Sequence, residues 1–458
     1  MPRDKKQVDA STDTGSGVIE NILENSSKKK SNKKDMDFAS TLLDQAIKEF
    51  GSSHVKSYDD FLNSVYGVPI YKNLALQYLL AIDVIPLGRL INVVGPFGVT
   101  KSNFCWYLAA LYLRYDGYIA FIDSERKGNP DQIHNLLMTY LNLGQDRSRW
   151  FSWNQAETLD KLLDYNVWYI KKLEEFGGKT INRPFMLLND SLGSVTNEEN
   201  VEKRFDDKDI SGFSAARNAA KLSEDMQVFG PKLFDLPATG VFINHQKVKI
   251  ATDGQPARAA YLPPVKSEKG GEHQRFAYSW IIELNPLRKD KVVCNGVSMS
   301  YPCYKMTTKK NAMGSNRPYI EVPYRYVWRG NKDGEELIWY DWNASLVLLL
   351  TDDKIFDQKK VVDPVIDIGY RPGKGYYSKR LGVEDLNITD FGQAIHDNPE
   401  VCAELQDKVL CIRRKPSYGN LITGIDKPQF SGIVPESEAG TVEPAGGEEV
   451  QKPAEEGV

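Results

Sequence analysis

Lys101 and Ser102 are the residues in this chain whose types and setting most directly suggest chemistry. They follow Gly95, Pro96, Phe97, Gly98, Val99 and Thr100 and precede Asn103, which opens a helix-like stretch. In a glycine-containing loop that turns into a helix, backbone N–H groups face inward and the helix dipole points at the same spot. Lysine adds fixed positive charge there, and a serine hydroxyl suits magnesium. Residues 95–103 therefore read as a phosphate-binding P-loop, with one departure: Thr100 stands where the motif has glycine. Two carboxylates follow apolar runs: Glu125 lies just beyond YIAFID, and Asp190 closes PFMLLND. A carboxylate beyond a strand end can orient and deprotonate a water for in-line attack, the role expected of Glu125. One at a strand end can hold magnesium together with a hydroxyl, the role expected of Asp190 with Ser102. His245 closes GVFINH; taken alone, a histidine there reads first as a hydrogen-bonded strand-end residue.

These groups need a scaffold that delivers them to one edge. Residues 90–94, 118–123, 184–190 and 240–245 are short and mostly apolar, the first rich in β-branched residues, the pattern of strands buried on both faces of a parallel sheet. Ligands of such sheets sit beyond the carboxyl ends of the strands, where the first run stops at Gly95 and the other three at polar residues. Helical spacing marks residues 38–50, 159–176 and 212–234, the last expected to break at Gly230-Pro231. Residues 276–284, 298–308 and 319–328 read as further strands, the later ones antiparallel, and VLLLTDD at residues 347–353 as strand-like. Residues 191–211 are charged and without period, as expected of a loop. Residues 247–274 form a second, basic loop carrying Lys247, Lys249, Arg258, Tyr261, Lys266 and Lys269 and ending at Gly270-Gly271. Cations with an aromatic suit the phosphates and bases of a single nucleic-acid strand; the plainer alternative is a solvated insertion.

With 458 residues the chain is too long for one ordinary domain. No run of about eighteen apolar residues appears and the start is polar, so neither a membrane span nor a secretory signal is expected. Five scattered cysteines fit reduced thiols in a cytoplasmic setting and offer no zinc spacing. A net charge of −4 argues against indiscriminate polyanion binding while allowing a local basic groove.

The order of P-loop, FIDSE, LLNDS, charged loop, SGFSAAR, FINHQ, basic loop and RFAYSWIIEL resembles RecA-type recombinases, nearest to the phage UvsX branch, which also carries histidine after FIN. The resemblance covers residues 38–410. It implies an α/β fold: a RecA-like P-loop ATPase core with a mostly parallel central sheet, an N-terminal oligomerisation helix and a small C-terminal α+β domain. The expected organisation is a disordered basic tail at 1–35, the oligomerisation segment at 36–66, the core at 67–341, the small domain at 342–415 and a disordered acidic tail at 416–458.

Carried across residue by residue, the resemblance makes Lys101, Glu125 and His245 catalytic, with His245 coupling the γ-phosphate to DNA. Lys309 and Lys310 stand where the family reaches across a subunit junction to the neighbour's ATP; here the two are adjacent and followed by Asn311. DNA would contact Arg217 behind the first loop and Lys247, Lys249, Arg258, Tyr261, Lys266, Lys269, Gly270 and Gly271 in the second. ATP and Mg²⁺ are the implied cofactors. Single-stranded DNA, homologous duplex, further copies in a helical filament, and single-strand-binding and mediator proteins are the implied partners, with no membrane. Two other readings share the fold: a ring helicase, and a structural filament protein that does not hydrolyse ATP, for which Thr100 speaks.

Overall fold

The structure, a computed structural model, describes residues 33–50, 67–126, 128, 133, 137, 151–176, 183–196, 198, 201, 214–248, 266–268, 274–294, 297–328 and 336–412. The chain divides into a unit up to Val65 and a second from Tyr66 onward. In the first, helix α1 (Lys33–Phe50) begins ahead of the Phe38 start expected from spacing. Leu43, Ala46 and Ile47 form its less exposed side, at the i, i+3, i+4 spacing of one helical face.

The second unit opens with β1 (Gly67–Pro69), α2 (Leu74–Leu80) and β2 (Val84–Pro86), which pairs antiparallel with β1. Strand β3 (Arg89–Gly95) then runs into the P-loop and α3 (Lys101–Arg114). Next come β4 (Tyr118–Asp123), β5 (Phe151–Gln155), α4 (Leu159–Glu175), β6 (Phe185–Asp190), α5 (Ser214–Phe234) and β7 (Ala238–Val248). After β8 (Lys266–Glu268) and the single turn α6 (Gln274–Ala277) follow three long strands, β9 (Trp280–Cys294), β10 (Val297–Asn311) and β11 (Ile320–Trp328), then β12 (Glu336–Tyr340).

Among the described residues these strands form one sheet in the order β12-β11-β10-β9-β3-β7-β6-β4-β5, with β8 on β7. From β9 to β5 every pairing is parallel; β10, β11 and β12 continue it antiparallel. Both faces of the parallel part are covered. Ile91, Val93, Phe121, Leu188 and Ile243 point into one hydrophobic cluster with α2 and α3, whereas Leu90, Val94, Ile122, Leu187 and Phe242 point into another with α4 and α5. The strict alternation explains why these strands are apolar throughout: each successive residue meets a different core.

Three local readings change. Residues 342–350 are helix α7 (Trp342–Leu350), not strand: Asp341 Oδ1 accepts from Ala344 N at 2.8 Å, and the helix is buried nearly all round, so a short apolar run carried no period to tell the two apart. Helix α5 continues through Gly230-Pro231 because Leu222, Met226, Phe229 and Leu233 bury one stripe on both sides of the proline, offsetting the backbone bond it removes. Residues 276–279 precede the strand and belong to α6 and its exit.

Residues 342–412 add a three-stranded meander, β13 (Gly369–Arg371), β14 (Gly375–Ser378) and β15 (Val383–Leu386), and helices α8 (Ile388–Asp397) and α9 (Pro399–Glu404). The basic GYRPGKGYYSKR stretch is the β13–β14 hairpin and its exit. Two of its arginines are paired within the chain, Arg371 with Glu384 and Asp385 and Arg380 with Glu404. Leu346, Val347, Phe391, Ile395 and Leu405 share the cluster that also holds α3.

Candidate functional site

Strand register brings the chemical residues to one level. Gly95 is aligned with His245, and Asp123 with both Asp190 and Gln155, toward the carboxyl ends of their strands, while Val94 is aligned with Glu283 near the start of the longer β9. A cavity of about 280 Å³ opens there, lined by the P-loop together with Trp106, Glu125, Asp190 and His245.

Residues 95–100 form a tight turn between β3 and α3. Gly98 has φ +79° with open space where a side chain would be, so only glycine sits there without strain. Gly95 is required for a different reason: a Cβ would lie 2.5 Å from the Leu284 carbonyl oxygen on β9. Thr100 also takes the left-handed conformation, φ 53°, and its side chain makes no capping bond to the first turn of α3. The amides at that helix start are thus not taken by a side-chain cap. Lys101 is buried and donates to the Pro96 carbonyl at 2.8 Å, inside its own loop. Burial lowers its ammonium, and the nearby Asp190 and Glu125 carboxylates draw it partly back.

Ser102 Oγ donates to Asp190 Oδ2 at 2.5 Å, so the two residues expected to share a metal are in contact. Burial, with Glu125 and Asp123 close by, pushes the Asp190 carboxyl up to about 6 against the opposing hydrogen bond from Ser102. Between the ordinary Asp range and about pH 6 the folded chain therefore holds a proton that the unfolded chain has released. Its contribution to stability falls as pH rises through that window. In urea melts of nucleotide-free protein, Asp190→Asn is expected to gain stability relative to the parental chain between about pH 4 and pH 7. A difference that stays constant across the window would show that Asp190 is not the group titrating.

Glu125 is held by two donors on one oxygen: Ser191 Oγ at 2.7 Å and His245 Nε2 at 2.9 Å. Beneath it, Asp123 Oδ1 accepts from the Glu125 and Arg126 amides at 3.1 and 2.8 Å, fixing the turn that presents the carboxylate. Ser124 Oγ accepts from Ser191 N at 2.8 Å and locks β4's exit to β6's exit. His245 has little freedom, since its ring packs so closely on Gly193 that a Cβ there would collide with it. On its outer side the Phe97 ring, 81% exposed, lies 6.1 Å away.

The sequence-expected residues of the P-loop, Glu125, Asp190 and His245 thus converge. Lys309 and Lys310 do not point alike. Lys309 Nζ is 2.9 Å from the buried Glu283 carboxylate, which also accepts from Gln246 at 2.5 Å, while half of the Lys309 side chain stays exposed. Lys310 instead donates to the Arg275 and Phe276 carbonyls at the end of α6. Arg217 lies near the start of α5, Lys247 on β7 and Lys266 on β8, where β7 and β8 pair antiparallel. Lys249, Arg258, Tyr261, Lys269, Gly270 and Gly271 lie outside the described residues. Sequence pattern does not single out Asp123, Tyr324 or Tyr340. Ser191 carried one signal, its place directly after Asp190.

No family model matches the chain. Curated relatives do. Protein RecA of Paenarthrobacter aurescens (strain TC1) is 20% identical over 395 residues, 85% of this chain and 95% of that protein. Protein RecA of Corynebacterium glutamicum (strain R) is 22% identical over 381 residues, 82% of this chain and 84% of its own. Protein RecA of Geobacter metallireducens is 22% identical over 370 residues, covering 80% and 92%. Low identity sustained over most of both chains supports the RecA family, and the mostly parallel α/β sheet agrees with a RecA-like core.

Proposed function

We propose that the chain is an ATP-dependent DNA recombinase that forms a helical filament on single-stranded DNA and carries out homologous pairing and strand exchange. The observation that carries this reading is the meeting of Lys101, Ser102–Asp190 and the Ser191–Glu125–His245 group at one strand level, in a chain distantly related to RecA proteins. His245 at the end of β7 also favours the UvsX-like branch of the family.

Each residue has a task. Lys101 exchanges the Pro96 carbonyl for a phosphate oxygen, and the loop amides surround the rest of the phosphate chain. Ser102 and Asp190 fit magnesium, a hard cation that takes one or two protein oxygens and completes its shell with water and phosphate. When bound, the metal neutralises charge on the phosphates. Glu125 orients a water and accepts its proton, with Ser191 and His245 fixing the carboxylate. His245 thereby links the water-activating group to β7, beyond which the basic second loop begins. Lys309 reaches the ATP of a neighbouring copy, making turnover depend on assembly. The loop after Asp190 and that after β7 hold the DNA strand, and residues 33–50 serve self-association. The cytoplasm is the setting, with single-strand-binding and mediator proteins as partners.

The test is DNA-stimulated ATPase and strand-exchange activity, with electron micrographs of the same samples. Turnover that rises with single-stranded DNA, alongside open helical filaments and joint-molecule products, is expected. Closed rings that unwind duplex would favour the helicase reading, and filaments without turnover the structural one.

A further inference from the structure

Thr100 poses a problem that its neighbourhood answers. It holds φ 53° and ψ 27°, a region poorly suited to a β-branched residue, at the position where a glycine would meet no penalty. Opposite it stands Tyr340, the last residue of β12 and 2% exposed. Its phenol donates to the Thr100 carbonyl oxygen at 2.8 Å, and the Thr100 hydroxyl lies 2.7 Å from the same phenol oxygen. A phenol has one hydrogen. Since that hydrogen goes to the carbonyl, the Thr100 hydroxyl must be the donor in the second bond. The pair is reciprocal, which accounts for a hydroxyl-bearing residue at this site.

The tyrosine is itself held firmly. Its ring packs on Phe104 of α3 and on Tyr324, its antiparallel neighbour on β11, at centroid distances of 6.3 and 5.0 Å. Tyr324 OH in turn accepts from Asn103 Nδ2, one residue past Ser102. Asp341, next in the chain, is bonded by Arg325 and Thr389. Two tyrosines from the antiparallel wing therefore clasp the turn between loop and helix.

We propose that Tyr340 is a positioning residue for the phosphate loop, a latch that keeps Thr100 left-handed and so does for this chain what the motif's missing glycine does elsewhere. The proposal rests on the P-loop reading of residues 95–103. Without the latch Thr100 relaxes toward negative φ, the amides turn away from the cavity, and phosphate affinity drops.

A four-protein cycle tests it: parental, Tyr340→Phe, Thr100→Gly and the double variant, titrated with a fluorescent ATP analogue and magnesium. Tyr340→Phe keeps the ring packing and is expected to weaken binding about tenfold, the scale of one to two lost hydrogen bonds. In the Thr100→Gly background the same change is expected to alter binding by less than about twofold, because glycine needs no latch. Equal losses in both backgrounds, or no loss in either, overturn the proposal. Amide hydrogen exchange over residues 98–103 without nucleotide gives an independent reading: faster in Tyr340→Phe, not in the double variant compared with Thr100→Gly. If Lys101→Ala binds the analogue as tightly as the parental chain, the nucleotide reading fails, while the exchange data still decide whether the latch exists.

Discussion

Lys101→Ala is expected to reduce ATP turnover by at least about 100-fold and to remove stable filaments on DNA. The side chain is buried in the loop and its ammonium is the cation that faces Asp190 and Glu125 across the cavity. Taking it away removes the charge that would meet the phosphates and leaves two carboxylates to repel them. The loop should survive, since Gly98, Gly95 and the Tyr340–Thr100 pair shape it without the lysine. Loss of nucleotide binding with an unchanged urea midpoint is therefore the expected pattern. Near-parental turnover would mean that phosphate is held elsewhere.

Glu125→Gln separates binding from chemistry. The amide can keep one oxygen in the place where Ser191 and His245 now donate, so the turn held by Asp123 and the cavity shape persist. What disappears is the ability to accept a proton from water. Nucleotide and DNA binding should remain within a few-fold, whereas turnover falls by about 100- to 10,000-fold, the range for loss of a general base. Filaments formed with ATP should then persist instead of falling apart. Turnover at the parental rate would remove Glu125 from the water-activating role and leave it a structural ligand of His245.

What the residues themselves make legible is local. Residues 90–102 combine an apolar β-branched run, two glycines and a Lys-Ser pair, each constrained by its immediate neighbours, and β3, the loop and α3 match that reading. Helix α4 was legible from the spacing of Leu159, Leu162, Leu163, Asn166, Tyr169, Ile170 and Leu173. Contacts between distant segments were not legible. Ser102 and Asp190 were each marked by local pattern, yet their 2.5 Å contact depends on the register of β3, β7 and β6. Strand β5 was missed because FSWNQ alternates weakly and finds its place only by pairing with β4. Lys309 and Lys310 look equivalent as a run of two, whereas the β10–β9 pairing is irregular between Thr308 and Lys310, a local break that no spacing shows, and the two lysines take different partners.

The reciprocal Thr100–Tyr340 bond also ties together two distant positions of the chain. A threonine in that conformation relies on the tyrosine at the end of β12, whereas the tyrosine is also held by the rings of Phe104 and Tyr324, so the dependence runs one way. With threonine in the loop, loss of the tyrosine alone is costly, and two sites 240 positions apart share one fate.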